Sequence, residues 1–104
     1  MKNVTKGFEQ FMKNTSGVGP AFANAVMKLN EVSALDKKTH DLAYISVLVT
    51  TKMYGGLPFH IEQAKQHGAS IDEIKSAILL PMPIIGLQVA DALPHLNEDI
   101  KNEE

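Results

Sequence analysis

The residues best suited to acid–base chemistry are Asp41 and His60, which stand on either side of a break in the chain. The break contains Gly55, Gly56 and Pro58, and His60 follows shortly after it. A histidine ring changes charge near neutral pH, so it can give or take a proton during a reaction, and a carboxylate can orient it. We therefore predict His60 and Asp41 as the catalytic residues.

Whether the two side chains meet depends on where the helix carrying His60 begins. The helix that contains Asp41 runs to about residue 50 and carries the chain roughly 14 Å away from it. An antiparallel helix starting near Met53 would bring His60 back within reach of side chains or one water. A start at Pro58 would leave the pair apart, and it avoids placing glycines inside a helix, each of which costs about 1 kcal/mol relative to alanine. Both starts remain open.

Helical spacing of apolar residues recurs in six segments, and strand-like alternation persists nowhere. The predicted fold is therefore an all-α bundle of about six helices. Local signals mark the helix ends: Pro20 suits the first position of the second helix, and Gly68 suits the end of the fourth. Asp36 suits the cap of the third helix, and Ser70 with Glu73 suits a capping box for the fifth. Pro81 and Pro83 should end the fifth helix. The last helix is predicted over about 84–96, with a kink at Pro94.

The third helix is apolar on nearly every face over 42–49. Such a helix is buried in a core or between subunits. Because a chain of 104 residues has little volume with which to surround it, we predict a homo-oligomer.

Length and charge limit the class of protein. The 104 residues form a single predicted domain, residues 1–104. A net charge of -2 provides no basic surface, so we predict no nucleic-acid partner. The chain has no cysteine, which excludes disulfides, thiolate metal ligands and thiol nucleophiles from the chain itself.

Apolar runs and histidine spacing set further expectations. The N-terminus lacks the apolar core of a signal peptide, and the longest apolar run, 77–87, is interrupted by Pro81 and Pro83. We predict a cytoplasmic protein with no membrane partner. No two histidines have the three- or four-residue spacing of a helical metal site, so we predict no metal and no cofactor.

The region from residue 35 to 86 resembles the carboxymuconolactone decarboxylase and alkyl hydroperoxidase D superfamily. The matching features are an acid before a buried helix, a histidine after the break, and the sequence His67-Gly68-Ala69-Ser70-Ile71-Asp72-Glu73-Ile74 that follows. Aligning His60 with the family histidine puts the family glutamate on Asp41 and the Cys-x-x-Cys pair on Met53 and Gly56. The resemblance implies the family's helical bundle, assembled as a homotrimer or homohexamer.

Three functions follow from the resemblance. The first is a decarboxylase-like lyase that acts on a small acid or lactone without a cofactor, with His60 as general acid and Asp41 orienting it. Substrate-binding residues would be Lys52, Met53, Tyr54 and Gly56, with Lys52 or Tyr54 meeting substrate oxygens. The second is antioxidant activity of the alkyl hydroperoxidase or peroxiredoxin type, which the absence of cysteine contradicts. The third is a non-catalytic oligomer that binds a small ligand.

Structural roles remain open for the same residues. Asp41 lies in the first turns of a helix and His67 at the end of another, where the helix dipole favours their charges. His40 and His95 are predicted to be surface residues. Met53 and Tyr54 can equally pack at a subunit contact.

Overall fold

The computed structural model describes residues 5–96. This part of the chain is all-α and contains no strand, which confirms the predicted class. Its elements in chain order are α1 (Lys6–Lys13), α2 (Val18–Val32), α3 (Lys37–Thr50), a 3-10 turn (Tyr54–Gly56), α4 (Leu57–Gln66), α5 (Ile71–Leu79), α6 (Met82–Ile85) and a C-terminal 3-10 segment (Gly86–Leu96).

Side-chain caps start several of these helices where the sequence predicts. The Asp36 carboxylate accepts a hydrogen bond from the Thr39 N–H at 2.8 Å, which begins α3. Ser70 and Glu73 form the predicted capping box of α5. The pKa of Glu73 is lowered by the Ser70 N–H and by Lys38, whose ammonium lies 2.9 Å from its carboxylate. Lys38 and Glu73 thus join the first turns of α3 and α5.

The core forms where α3, α4, α5 and the C-terminal 3-10 segment meet. Near its start, α3 contacts the end of α4 through Asp41 and His67. Near its end, α3 lies beside the start of α4, where Leu48 meets Gly56, so α3 and α4 run antiparallel. The buried apolar side chains are Ile45, Leu48, Val49, Leu57, Ile61, Ala64, Ala69, Ile74, Ala77, Ile78, Val89, Ala92 and Leu96. They fix α3 between α4 and α5.

The α1–α2 hairpin closes around a glycine. The Thr15 hydroxyl donates to the Phe11 carbonyl at 2.6 Å and accepts from the Gly19 N–H at 2.9 Å. Phe11 also packs edge-on against Phe22, with ring centroids 5.7 Å apart. α2 begins at Val18 and not at the predicted Pro20, and Gly19 is its one buried residue. The helix begins earlier because Thr15 and Gly17 provide the turn that the proline was expected to mark.

The C-terminal part differs from the predicted α-helix over 84–96. α5 ends at Leu79, α6 is four residues long, and the chain from Gly86 onward is a 3-10 segment. Gly86 has a φ of 68°, which interrupts α-helical geometry, and Pro94 lacks the N–H that an α-helix would use. One stretch, Ile71–Leu96, is long and apolar enough to cross a membrane by length and composition, which is weak evidence because core helices of soluble proteins pass the same test.

One side of α3 lies open within the single chain, and burial of this side between subunits stays a prediction. Val47 is exposed, whereas Ile45 and Val49 are fully buried. The open side forms an apolar groove of about 860 Å³ with α5, which we call the α3–α5 groove. Its lining residues are Thr39, Leu42, Ala43, Ser46, Val47, Thr50, Asp72, Glu73, Ser76, Ala77, Leu80, Pro81 and Ile84.

Candidate functional site

The end of α4 is fixed by a Schellman motif. The Ala69 N–H donates to the Ala64 carbonyl at 2.9 Å, and the Gly68 N–H donates to the Lys65 carbonyl at 3.0 Å. Gly68 provides the required left-handed conformation with a φ of 95°, as the sequence predicts. The motif leaves His67 as the C-cap residue, on the level of the first turns of α3.

Asp41 and His67 form a pair within this corner. His67 Nδ1 and Asp41 Oδ2 are hydrogen-bonded, and the side chains are 30% and 12% exposed respectively. The sequence predicts that Asp41 orients His60 and that the helix dipole explains His67, so the contact between Asp41 and His67 is not predicted. Asp41 and His67 meet because antiparallel packing places the end of α4 beside the start of α3, a contact that no local spacing reveals.

His60, on α4, lies level with Tyr44, which is one helical turn beyond Asp41 on α3. The two rings are stacked. The rings of His60 and Tyr44 are 4.3 Å apart with an interplanar angle of 21°. Phe59 packs edge-on against His60 at 5.2 Å, and His40 flanks the other side of Tyr44 at 6.1 Å. The late helix start accounts for this position: α4 begins at Leu57 after a 3-10 turn, so His60 stays level with Tyr44.

Burial lowers the pKa of His60 below its usual 6.5, because desolvation disfavours the imidazolium. The negative charge of Asp41 opposes this shift and raises the pKa, while His40 lowers it further. Asp41 therefore acts on His60 through its charge, although its hydrogen bond goes to His67. The neutral ring is the favoured form of His60 around neutral pH.

Gly56 lies in contact with the His60 ring and has room for a methyl group only. A Cβ at this position would lie 3.6 Å from a Leu48 methyl and 3.8 Å from His60 Cδ2, both ordinary contact distances. Its φ of -86° is accessible to any residue. The α-carbon of Gly56 thus faces the imidazole edge, and a β-carbon at this position would contact the ring.

A comparison with known families matches the profile of the carboxymuconolactone decarboxylase family over residues 19–97. The chain belongs to the carboxymuconolactone decarboxylase family. The match is longer than the resemblance noted over 35–86 and includes α2. Comparisons with curated proteins and with solved structures gave no match.

The two cysteine positions that the family resemblance assigns lie on either side of the 3-10 turn. Met53 precedes the turn and is exposed, whereas Gly56 ends it against His60. A thioether has no ionisable proton, and glycine has no side chain at all. This member of the family therefore has its histidine beside a glycine where the resemblance expects a cysteine.

The other predicted substrate-binding residues, Lys52 and Tyr54, make their described contacts elsewhere. The Tyr54 hydroxyl donates to the Gln88 carbonyl at 3.4 Å, and its ring packs near His95 at 5.9 Å. Lys52 is exposed at the end of α3. None of the contacts described for residues 5–96 joins Lys52, Met53 or Tyr54 to His60 or Asp41. Within the same residues, no group of three or more histidine, aspartate or glutamate side chains is arranged to hold a metal ion.

Lys52 ends α3 in a conformation that normally belongs to glycine. Its φ is 60°, its N–H donates to the Val49 carbonyl, and the Met53 N–H donates to the Leu48 carbonyl at 2.9 Å, which makes a second Schellman motif. A lysine in this region costs about 1 kcal/mol relative to glycine.

Replacing Lys52 by glycine is expected to raise the free energy of unfolding by about 1 kcal/mol, because the left-handed strain disappears. Urea denaturation at neutral pH measures this change. Thr51→Gly, one residue earlier with an ordinary negative φ of -89°, is the matched control and should be destabilising. Equal effects of the two substitutions would contradict the assignment of strain to Lys52.

Proposed function

We propose that the chain is a cofactor-free enzyme that acts on a small carboxylic acid or lactone, with His60 transferring the proton. The observation that carries the proposal is the half-buried His60 ring, which stacks on Tyr44 and lies against Gly56. Family membership supports decarboxylase-type chemistry as the reaction. The absence of cysteine argues against a thiol peroxidase.

Decarboxylation would require one protein group to donate a proton and another to bind the substrate carboxylate. The bond between the carboxylate carbon and its neighbour breaks, carbon dioxide leaves, and the electron pair stays on the neighbouring carbon, where an adjacent carbonyl can delocalise it. A proton must then reach that carbon, and His60 is the donor. Lys52, whose side chain is exposed, is the proposed partner of the substrate carboxylate.

The lowered pKa of His60 suits a proton donor that becomes charged only with substrate. In the free protein, desolvation keeps the ring neutral. A bound carboxylate brings a negative charge, which favours the imidazolium and adds to the effect of Asp41. As carbon dioxide departs, the negative charge moves to carbon and the imidazolium neutralises it by donating its proton. Asp41, held by His67, provides a fixed charge during this cycle.

The test is release of carbon dioxide from 4-carboxymuconolactone by the wild-type chain and by His60→Gln. We expect turnover to fall by about 100-fold or more in the variant, as for the loss of a general acid. In the wild type, kcat/KM should decline as pH rises through the His60 pKa, whose midpoint lies below 6.5 because the shift is downward.

His95→Gln serves as the matched control, because His95 is an exposed histidine that contacts Tyr54 and not His60. It should leave the rate within about twofold of the wild type. Equal turnover in wild type and His60→Gln would overturn the role of His60. If neither chain turns the compound over but both bind it equally in calorimetry, the result would reject the proposed enzyme and favour the ligand-binding alternative.

A further inference from the structure

The ring of His60 is not fixed by a hydrogen bond. Within residues 5–96, neither ring nitrogen of His60 has a hydrogen-bond partner, and its pKa responds to burial and to neighbouring charges alone. No fully buried side-chain nitrogen or oxygen in this part of the chain lacks a partner, so the nitrogens of His60 are open to water. A working histidine is usually oriented by an oxygen that accepts from its second nitrogen. The orientation of His60 must therefore come from packing.

Asp41, the predicted orienter, does not supply the missing hydrogen bond. Its Oδ2 is bonded to Nδ1 of His67, and it acts on His60 through charge. A nearby charge favours the imidazolium, but unlike a hydrogen bond it does not fix the angle of the ring. Charge and orientation are thus supplied to His60 by different residues.

Tyr44 covers one face of the His60 ring. The two ring centroids are 4.3 Å apart, and the planes differ by 21°. The Phe59 ring is nearly perpendicular to the imidazole, at 83° and 5.2 Å. Phe59 is the neighbour of His60 on α4 and moves with that helix, whereas Tyr44 belongs to α3. Tyr44 is therefore the ring that ties the imidazole to the other helix.

Tyr44 is itself held on a fixed part of α3. Ile45 beside it and Leu48 one turn later are both buried in the core. His40, one turn earlier, flanks the Tyr44 ring at 6.1 Å. A stacked aromatic pair favours its own geometry by about two- to tenfold over an unstacked arrangement. The stack on Tyr44 is thus strong enough to select one orientation of His60.

The face of a tyrosine ring accommodates both protonation states of a histidine. The neutral imidazole stacks on it, and the imidazolium is attracted to its electron-rich face when the centroids lie within about 6 Å. The separation of 4.3 Å between Tyr44 and His60 meets this condition. His60 can therefore keep its orientation while it gains and loses a proton.

We propose that Tyr44 is the positioning residue of His60: its ring sets the plane of the imidazole, so that a free ring nitrogen is presented to the substrate. This role rests on the proposed function of His60 as proton donor. Tyr44 transfers no proton itself. Its hydroxyl makes no hydrogen bond within residues 5–96, so the aromatic ring is the part that acts.

Two substitutions separate the ring of Tyr44 from its hydroxyl. With 4-carboxymuconolactone as substrate, Tyr44→Leu should lower kcat by about 10-fold or more and change KM by less than about threefold, because a misaligned donor slows the chemical step and leaves binding intact. Tyr44→Phe keeps the ring and should retain kcat within about threefold of the wild type. Tyr44 is 38% exposed, which leaves room for either side chain.

Phe22→Leu is the matched control for the loss of a partly exposed aromatic ring. The described ring contact of Phe22 is with Phe11 in the N-terminal hairpin, so kcat should stay within about twofold of the wild type. An unchanged kcat in Tyr44→Leu, or equal losses in Tyr44→Leu and Tyr44→Phe, would show that the Tyr44 ring does not position His60.

Proton NMR tests the stack without a substrate. The chain has four histidines, and the signals missing from the His60→Gln spectrum identify those of His60. The ring current of Tyr44 should shift the His60 ring protons upfield, Tyr44→Phe should keep this shift, and Tyr44→Leu should move the signals back downfield. Far-UV circular dichroism checks that the variants remain helical.

The two measurements distinguish failure of the positioning role from failure of the proposed function. A wild type that does not turn the substrate over rejects the proposed function, and the NMR comparison then decides whether Tyr44 holds the ring. His60 signals that move in Tyr44→Leu and not in Tyr44→Phe support the role of Tyr44, whereas signals that Tyr44→Leu leaves in place refute it.

Discussion

Replacing Asp41 by alanine is expected to lower the free energy of unfolding by about 2–3 kcal/mol. The substitution removes a charged hydrogen-bond partner from a buried corner and leaves His67 Nδ1 without it. Breaking a fully buried pair by removing one partner costs about 3–5 kcal/mol, and the 30% exposure of His67 brings the expected loss below that range because water can reach the ring. Urea denaturation near pH 7 measures the change.

Two further variants distinguish the contribution of the Asp41–His67 pair from the effect of removing an acidic side chain. Asp72→Ala removes an exposed carboxylate from the first turn of α5 and should cost about 0.3–1 kcal/mol through the helix dipole alone. In a double-mutant cycle, Asp41→Ala and His67→Ala should couple by at least about 1 kcal/mol. A coupling energy near zero would show that the Asp41–His67 pair contributes nothing to stability.

Replacing Gly19 by alanine is expected to undock α1 from α2. A methyl group at Gly19 would overlap the Phe11 carbonyl and lie 2.8 Å from Met12 Cα, both of which are backbone atoms. The two helices must separate, and the Thr15 bridge and the Phe11–Phe22 contact are lost with them. We expect amide-exchange protection in α1 to fall by about 100-fold, equivalent to about 3 kcal/mol of local stability, while α3 and α4 keep theirs.

Gly7→Ala is the matched control within the same hairpin. A Cβ at Gly7 would meet only the Thr5 hydroxyl, at 3.9 Å, so nothing needs to move. Alanine in place of a helical glycine should instead stabilise α1 by up to about 1 kcal/mol. If Gly19→Ala kept wild-type protection in α1, the close crossing of the two helices would be wrong.

Much of the fold follows from local sequence signals. Asp36, Ser70 with Glu73, and Gly68 act within one helical turn of their own positions, so the sequence predicts them without tertiary information. Family membership was also predictable, because the acid, the break and the histidine are all in the sequence.

The candidate site was predictable only in part, because its contacts join residues far apart in the chain. The sequence predicts Asp41 as the residue that orients His60 and leaves their direct contact open, whereas the side chain that reaches Asp41 is His67. The difference arises from the start of α4. Because α4 begins at Leu57, His60 lies in its first turn, level with Tyr44, and His67 at the far end of the helix lies level with Asp41.

A cysteine placed at position 56 could be used to identify ligands that bind beside His60. In a chain without native thiols, Gly56→Cys would place a single sulfur beside the His60 ring, at a backbone conformation that accepts it. Small disulfide-bearing fragments could then be captured reversibly at that one position and identified by mass spectrometry. The fragments retained most strongly would report the shape and charge that the site prefers, before any substrate is known.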